Sequence, residues 1–130
     1  MVDALRRARR WVRPHGCVID IHPSAAPALV EADGRPVGHV TAIDAPARHA
    51  AADAALAAAV AEPLFTAVHA EEFAFYTYGA TLAELRAHVE EHWRDARIPA
   101  DIRVPPGARP RLHEHVHLTK LVVAGRRDSA

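Results

Sequence analysis

The feature that most constrains this chain is its shortage of large apolar side chains. Half of its 130 residues are hydrophobic, but 29 of them are Ala, and Leu, Ile, Val and Phe together number only 30. A chain of this length forms one domain, and its share of large apolar residues lies just above the range typical of disordered proteins. The sequence therefore predicts a single domain over residues 1–130 with a small core. We expect part of the missing burial to come from a second subunit.

Charge and composition exclude several functional classes. The 16 basic and 16 acidic side chains balance, so we expect no nucleic-acid partner and no binding to an anionic membrane. No apolar run approaches the ~18 residues that span a bilayer, and no apolar segment follows the N-terminal Arg residues, so we expect neither a membrane span nor a secretion signal. The lone Cys17 excludes an internal disulfide and predicts a cytoplasmic protein.

The periodicity of the apolar residues predicts seven elements. In order they are a helix at 3–13, a strand at 17–22, a hairpin turning at Asp33-Gly34, an Ala-rich helix capped by Asp44 and ended by Pro63, a strand at 64–78, a helix capped by Thr81 and a strand at 112–123, with a frayed tail from Gly125. This order indicates an α/β fold in which three helices and an additional β-hairpin accompany a sheet of mixed strands. The apolar run Cys17-Val18-Ile19 predicts a strand buried on both faces, as in the centre of a parallel sheet.

One segment carries a family resemblance. Residues 4–16 read Ala-Leu-Arg-Arg-Ala-Arg-Arg-Trp-Val-Arg-Pro-His-Gly and lead into the strand that ends at His22. This segment resembles the helix of the type "ALxEAxRVLRPGG" that precedes the fifth strand of class I S-adenosylmethionine-dependent methyltransferases. His15 replaces the first Gly of the usual Pro-Gly-Gly turn.

The resemblance extends to the layout of the rest of the chain. It implies that residues 23–62, a hairpin followed by a helix, form the variable region in which this family often builds a substrate lid. It also implies that residues 64–123 form the closing strand–helix–strand unit, in which the two strands pair antiparallel and the helix 81–97 lies between them in the chain.

The cofactor motifs of that family have no counterpart here. The family binds S-adenosylmethionine with a Gly-rich loop after its first strand and an acidic residue ending its second, and none of the six Gly of this chain forms a G-x-G. We therefore expect a methyltransferase-like domain that does not bind S-adenosylmethionine alone and instead binds a small molecule or a partner. One subunit of a split methyltransferase is an alternative, and the sequence leaves open whether any reaction is catalysed.

The strand at 17–22 predicts how the sheet is completed. In the full family a further strand lies beside this one, and without it residues 17–22 form an apolar edge that proteins rarely leave exposed. We expect two copies to pair here across a two-fold axis and to form one continuous sheet.

A cluster of histidines on the last strand suggests a second kind of function. His113, His115 and His117 alternate, so a regular strand places them on one face, where they could share a divalent metal ion. Either His22 or His69 could add a ligand, which would give a small metal-dependent enzyme. The alternative is that these histidines form a solvated or helix-covered face.

Two further pairs are candidate site residues. Asp20 and His22 end the strand at 17–22, and an Asp–His pair there could act as a catalytic base, although a structural hydrogen bond would place them in the same way. Tyr76 and Tyr78 end an aromatic strand segment, which predicts either core packing or the wall of a substrate pocket.

Overall fold

The structure is a computed structural model that describes residues 2–43, 45–62 and 64–124. The expected cap at Asp44, the helix stop at Pro63 and the tail from Gly125 lie outside the described residues. The elements are α1 (Val2–Trp11), β1 (Cys17–Pro23), β2 (Leu29–Ala32), β3 (Arg35–His39), β4 (Thr41–Ala42), α2 (Ala45–Ala61), β5 (Phe65–Tyr78), α3 (Leu82–His92), β6 (Ala96–Arg97) and β7 (Pro110–Val123). The fold is α/β with three helices and an antiparallel sheet of several strands, which confirms the predicted class.

Local sequence signals placed the turns and caps correctly. Asp33 and Gly34 between β2 and β3 both have positive φ, 49° and 78°, the geometry that the tightest hairpin turns require. Thr81 begins α3 by accepting a hydrogen bond from the Glu84 amide at 3.2 Å. The Glu84 carboxylate accepts a hydrogen bond from the Ala80 amide at 3.0 Å and not from that of Thr81, so the predicted Thr81 cap forms while the return bond is displaced by one residue.

Strand β7 is the centre of the main sheet, whose order is β1–β7–β2–β3 with β5 also paired to β7. The β2–β3 and β2–β7 pairs are antiparallel. The backbone bonds from Val123 to Gly16 and from Ser24 to His115 give β1 the same direction relative to β7. The expected sheet of mixed strands is thus antiparallel in the pairs that the structure describes. Strands β4 and β6 form a separate two-stranded sheet.

Strand β1 differs from the sequence-based expectation. Its side chains alternate between exposed and half-buried, and Ile19 and Ile21 are 48% and 56% exposed. The prediction of burial on both faces is therefore wrong. The expected edge position agrees with the sheet order, in which β1 lies at one end.

The described chain groups into two compact units, and the expected single domain stays a prediction. Of the described residues, the first unit comprises those within 2–22, 47–73 and 117–124, and the second comprises those within 23–46 and 74–116. Each unit has its own core. The first core consists of Leu5, Ala59, Phe65 and Leu121, and the second of Val30, Val40, Leu85, Val89, Ile98, Ile102 and Leu112.

The Ala-rich helix α2 explains why the first core is thin. The residues that it buries are Ala52, Ala55 and Ala59, which remove little apolar area from water. Within the residues that the structure describes, no helix is long and apolar enough to cross a membrane.

Candidate functional site

In the first unit the structure brings the predicted pair Asp20 and His22 into contact. Nδ1 of His22 lies 2.6 Å from Oδ2 of Asp20, and both side chains are largely buried. Strand alternation places these two residues on the same face of β1 because they are two positions apart. The pairing is therefore as predicted, while the catalytic role stays a prediction.

A residue that the sequence analysis did not select completes this arrangement. Asp53 of α2 places Oδ1 2.8 Å from Nε2 of His22. An ionised carboxylate only accepts hydrogen bonds, so both contacts are hydrogen bonds when His22 is protonated and both of its ring nitrogens donate. Burial alone lowers the pKa of His22, but the hydrogen bonds to Asp20 and Asp53 outweigh it and raise the pKa above its ordinary value.

This geometry limits what His22 can do chemically. A general base needs a ring nitrogen with a free lone pair, and both nitrogens of His22 are bound to carboxylates. The His22 ring also lies 5.7 Å from the His117 ring. His49 of α2 has a lowered pKa, because burial and the nearby charges of Arg48 and His22 disfavour its protonated form. The arrangement is a charged bridge between β1 and α2.

The second unit contains an acidic side chain that is almost completely buried. Glu31 of β2 is flanked by Val30 and Ala32 and its side chain is only 6% exposed. One of its oxygens accepts a hydrogen bond from Nε of Arg111 at 2.6 Å, and the other lies 3.2 Å from Nδ1 of His113. Burial alone raises the pKa of Glu31, but these two partners outweigh it and lower the pKa below its ordinary value.

The orientation of His113 follows from this contact. Because the Glu31 carboxylate accepts at Nδ1, the lone pair of a neutral His113 is on Nε2. That Nε2 atom is buried and has no hydrogen-bond partner in the structure. The ring lies 4.9 Å from that of His115.

The predicted pocket residues Tyr76 and Tyr78 flank the same group. The Arg111 guanidinium lies 4.1 Å from the centre of the Tyr76 ring, and its Nη1 donates to the Tyr78 hydroxyl at 3.4 Å. The Tyr76 ring is also 4.7 Å from His113. Both tyrosines are exposed, so the expectation that they pack in the core is wrong. As pocket residues they remain a prediction.

The predicted metal cluster is not assembled by the residues that the structure describes. Among them, no group of three or more His, Cys, Asp or Glu side chains has a geometry that could hold an ion. His113 and His115 are neighbours in the second unit, whereas His117 lies near His22 in the first. Nε2 of His69, the other proposed ligand, lies 3.0 Å from Oε2 of Glu71 on the exposed strand β5.

Four residues of these groups were not predicted from the sequence: Glu31, His49, Asp53 and Arg111. Signals for three of them are present in the sequence. Glu31 interrupts an otherwise apolar strand, and His49 and Asp53 are four residues apart in a helix that is nearly all Ala, so they share one face. Arg111 carried no such signal because the chain holds 15 Arg.

Comparison with known proteins yields no relative. No protein-family model, curated protein or solved structure matches this chain.

Proposed function

We propose that this chain is a methyltransferase-like, cytoplasmic binding domain without an S-adenosylmethionine site of its own, and that it functions as a homodimer joined through β1. The observation that carries the proposal is the exposed end of the sheet. Ile19 and Ile21 of β1 are about half exposed, and Cys17, at the preceding alternate position, is also exposed.

The free edge of β1 supports self-association. No described strand other than β7 pairs with β1, so one row of its backbone groups is open to another strand. Exposed apolar edges without charged or bulged protection promote pairing with another chain. Two copies of the same edge strand can pair antiparallel across a two-fold axis, so that the same residues lie on both sides of the interface. A second copy of this chain can therefore extend the sheet without any other component.

The layout of the closing strands supports the methyltransferase-like part of the proposal. Strand β5 and strand β7 are joined at both ends, by the bond from Ala124 to Leu64 and by that from Gly79 to Pro110, and are therefore antiparallel. Helix α3 lies between them in the chain. This is the strand–helix–strand order that the resemblance of residues 4–22 implies.

Light scattering coupled to size exclusion tests the dimer. At about 50 μM we expect twice the mass of one chain, and Ile19→Lys with Ile21→Lys should give a monomer because buried unpaired charges oppose strand pairing. The control is Val68→Lys, since Val68 is 53% exposed on another strand of the same unit. A wild-type monomer at this concentration would contradict the proposal, and a monomer from the control alone would move the interface to β5.

Calorimetry with S-adenosylmethionine separates the split-methyltransferase alternative from the homodimer. We expect no binding to the purified chain. Binding that develops only with a second chain containing a Gly-rich cofactor loop would establish the alternative and replace the homodimer by a complex of two different chains.

The metal-dependent enzyme is a second candidate because of one contact. Histidines that bind metals commonly donate their other ring N–H to a carboxylate, and Glu31 holds His113 in this way. Zinc titration of the wild type and of His113→Ala and His115→Ala tests it. Binding that both variants abolish would favour an enzyme, and no binding to the wild type would remove this candidate.

A further inference from the structure

A groove in the second unit is lined by three arginines and by no acidic residue. Its walls are the start of α3 and the loop before β7, and its cationic residues are Arg86, Arg103 and Arg109. We propose that this groove binds a small dianionic molecule through a phosphate group or paired carboxylates. The site is independent of the dimer proposed above and of the histidines.

Among the described residues, no carboxylate forms an ion pair with these arginines. Arg86 donates to the carbonyl oxygens of Pro99 and Ile102 at 3.0 and 3.2 Å, and Arg103 donates to that of Ala100 at 2.7 Å. A carbonyl oxygen orients a guanidinium without cancelling its charge. In the described part of the chain, no carboxylate comes within 4.0 Å of any of the three guanidinium groups, whereas Arg6 and Arg111 each pair with a glutamate.

Two carboxylates accept hydrogen bonds from backbone amides of residues that line the groove. The Glu84 carboxylate accepts from the Ala80 amide at 3.0 Å, and the Asp33 carboxylate accepts from the Arg109 amide at 2.9 Å. Both therefore fix backbone at the border of the groove.

The geometry favours a compact oxyanion over a polymer. The Arg86 side chain is half-buried and held by two carbonyls, so it is oriented before any ligand arrives. A guanidinium offers several donors in one plane and binds phosphate or carboxylate oxygens in pairs. The whole chain carries no net charge, so no overall positive field attracts a nucleic acid.

Calorimetric titration with inorganic phosphate and with succinate tests the site and separates the two oxyanion types. We expect one of them to bind with a dissociation constant of about 1 mM or tighter. Arg103→Gln and Arg109→Gln should each weaken that affinity about tenfold, since each removes a charge-assisted hydrogen bond. Both residues are exposed, so the variants should keep the fold, which circular dichroism checks.

The matched control is Arg97→Gln, which removes the same charge from an exposed residue of the same unit outside the groove. It should change the affinity less than about twofold, because an exposed charge at a distance is screened by salt. An equal loss of affinity in the control would show unspecific attraction and overturn the proposal. So would the absence of binding heat from both anions at about 10 mM.

Discussion

The Asp53 carboxylate of α2 lies 2.8 Å from Nε2 of His22 on β1, on the ring whose other nitrogen is bound by Asp20. One imidazolium thus bridges the Ala-rich helix and the first strand. The fully buried residues of α2 are all Ala, so this polar bridge lies beside a contact with little apolar area.

The two carboxylates of the bridge should differ in their effect on stability. Asp20 is largely buried and Asp53 is 60% exposed. Asp20→Asn should lower the free energy of unfolding by about 1–3 kcal/mol, because it weakens a buried charged hydrogen bond. Asp53→Asn should cost less than about 1 kcal/mol, as exposed ion pairs do. Urea unfolding at about pH 6 measures both, with the exposed Asp3→Asn as control. Equal losses of unfolding free energy in Asp20→Asn and Asp53→Asn would contradict the predicted difference between the two carboxylates.

The bridge should make stability depend on pH. The pKa of His22 is raised in the folded state, so its contribution is fully present below the unfolded pKa of about 6.5 and is lost as the pH rises through the folded pKa. The difference in unfolding free energy between wild type and His22→Gln should therefore shrink between about pH 5.5 and pH 8.5. A difference that stays constant or grows would show that His22 is neutral in the folded state.

His49 should show the opposite pH dependence. Burial and the charges of Arg48 and His22 lower its pKa, so protonation at low pH favours the unfolded state. His49→Gln should gain stability relative to wild type as the pH falls through the range around 6.5. The same unfolding series measures this, and a variant that tracks the wild type at every pH would exclude it.

The buried Glu31 should make the chain sensitive to loss of Arg111. Arg111→Leu leaves a carboxylate that is 6% exposed without its main partner, and we expect a cost of about 2–4 kcal/mol. Adding Glu31→Gln should recover part of the lost unfolding free energy, because it removes the buried charge that has no partner. The control is Arg6→Leu, whose partner Glu62 is exposed, with an expected cost below about 1 kcal/mol. A double variant that is no more stable than Arg111→Leu would contradict the pairing.

The Ile102 side chain should leave room only for Gly at position 38. A Cβ at position 38 would lie 2.4 Å from Cδ1 and 2.8 Å from Cγ1 of Ile102. Gly38→Ala should therefore cost about 1–3 kcal/mol by overpacking. In an Ile102→Ala background the nearest remaining atom is Cβ at 4.0 Å, so the same substitution should cost close to nothing there. Thermal unfolding of the four chains measures the coupling, and identical costs in both backgrounds would refute the contact.

Local chemistry made the elements predictable, and the pairing of distant segments made the site difficult to predict. The Asp33-Gly34 turn and the Thr81 cap depend on residues within four positions of each other, and both formed as expected. The Asp20–His22 contact could be predicted because strand alternation fixes it. The contacts of Asp53 with His22 and of Arg111 with Glu31 could not be predicted, since they join residues 31 and 80 positions apart in the chain.

The sequence by itself determined the class of the fold, the hairpin, the helix cap and the thinness of the core, because periodicity, turn residues and side-chain volume act over a few residues. Only the tertiary structure decided that the side chains of β1 are exposed or half-buried, that every described strand pair is antiparallel and that His22 is bound at both nitrogens. An apolar run has the same sequence whether both faces of a strand are covered or one is open. Which groups face one histidine depends on how the chain returns to it, and the chemistry of that ring depends on those groups.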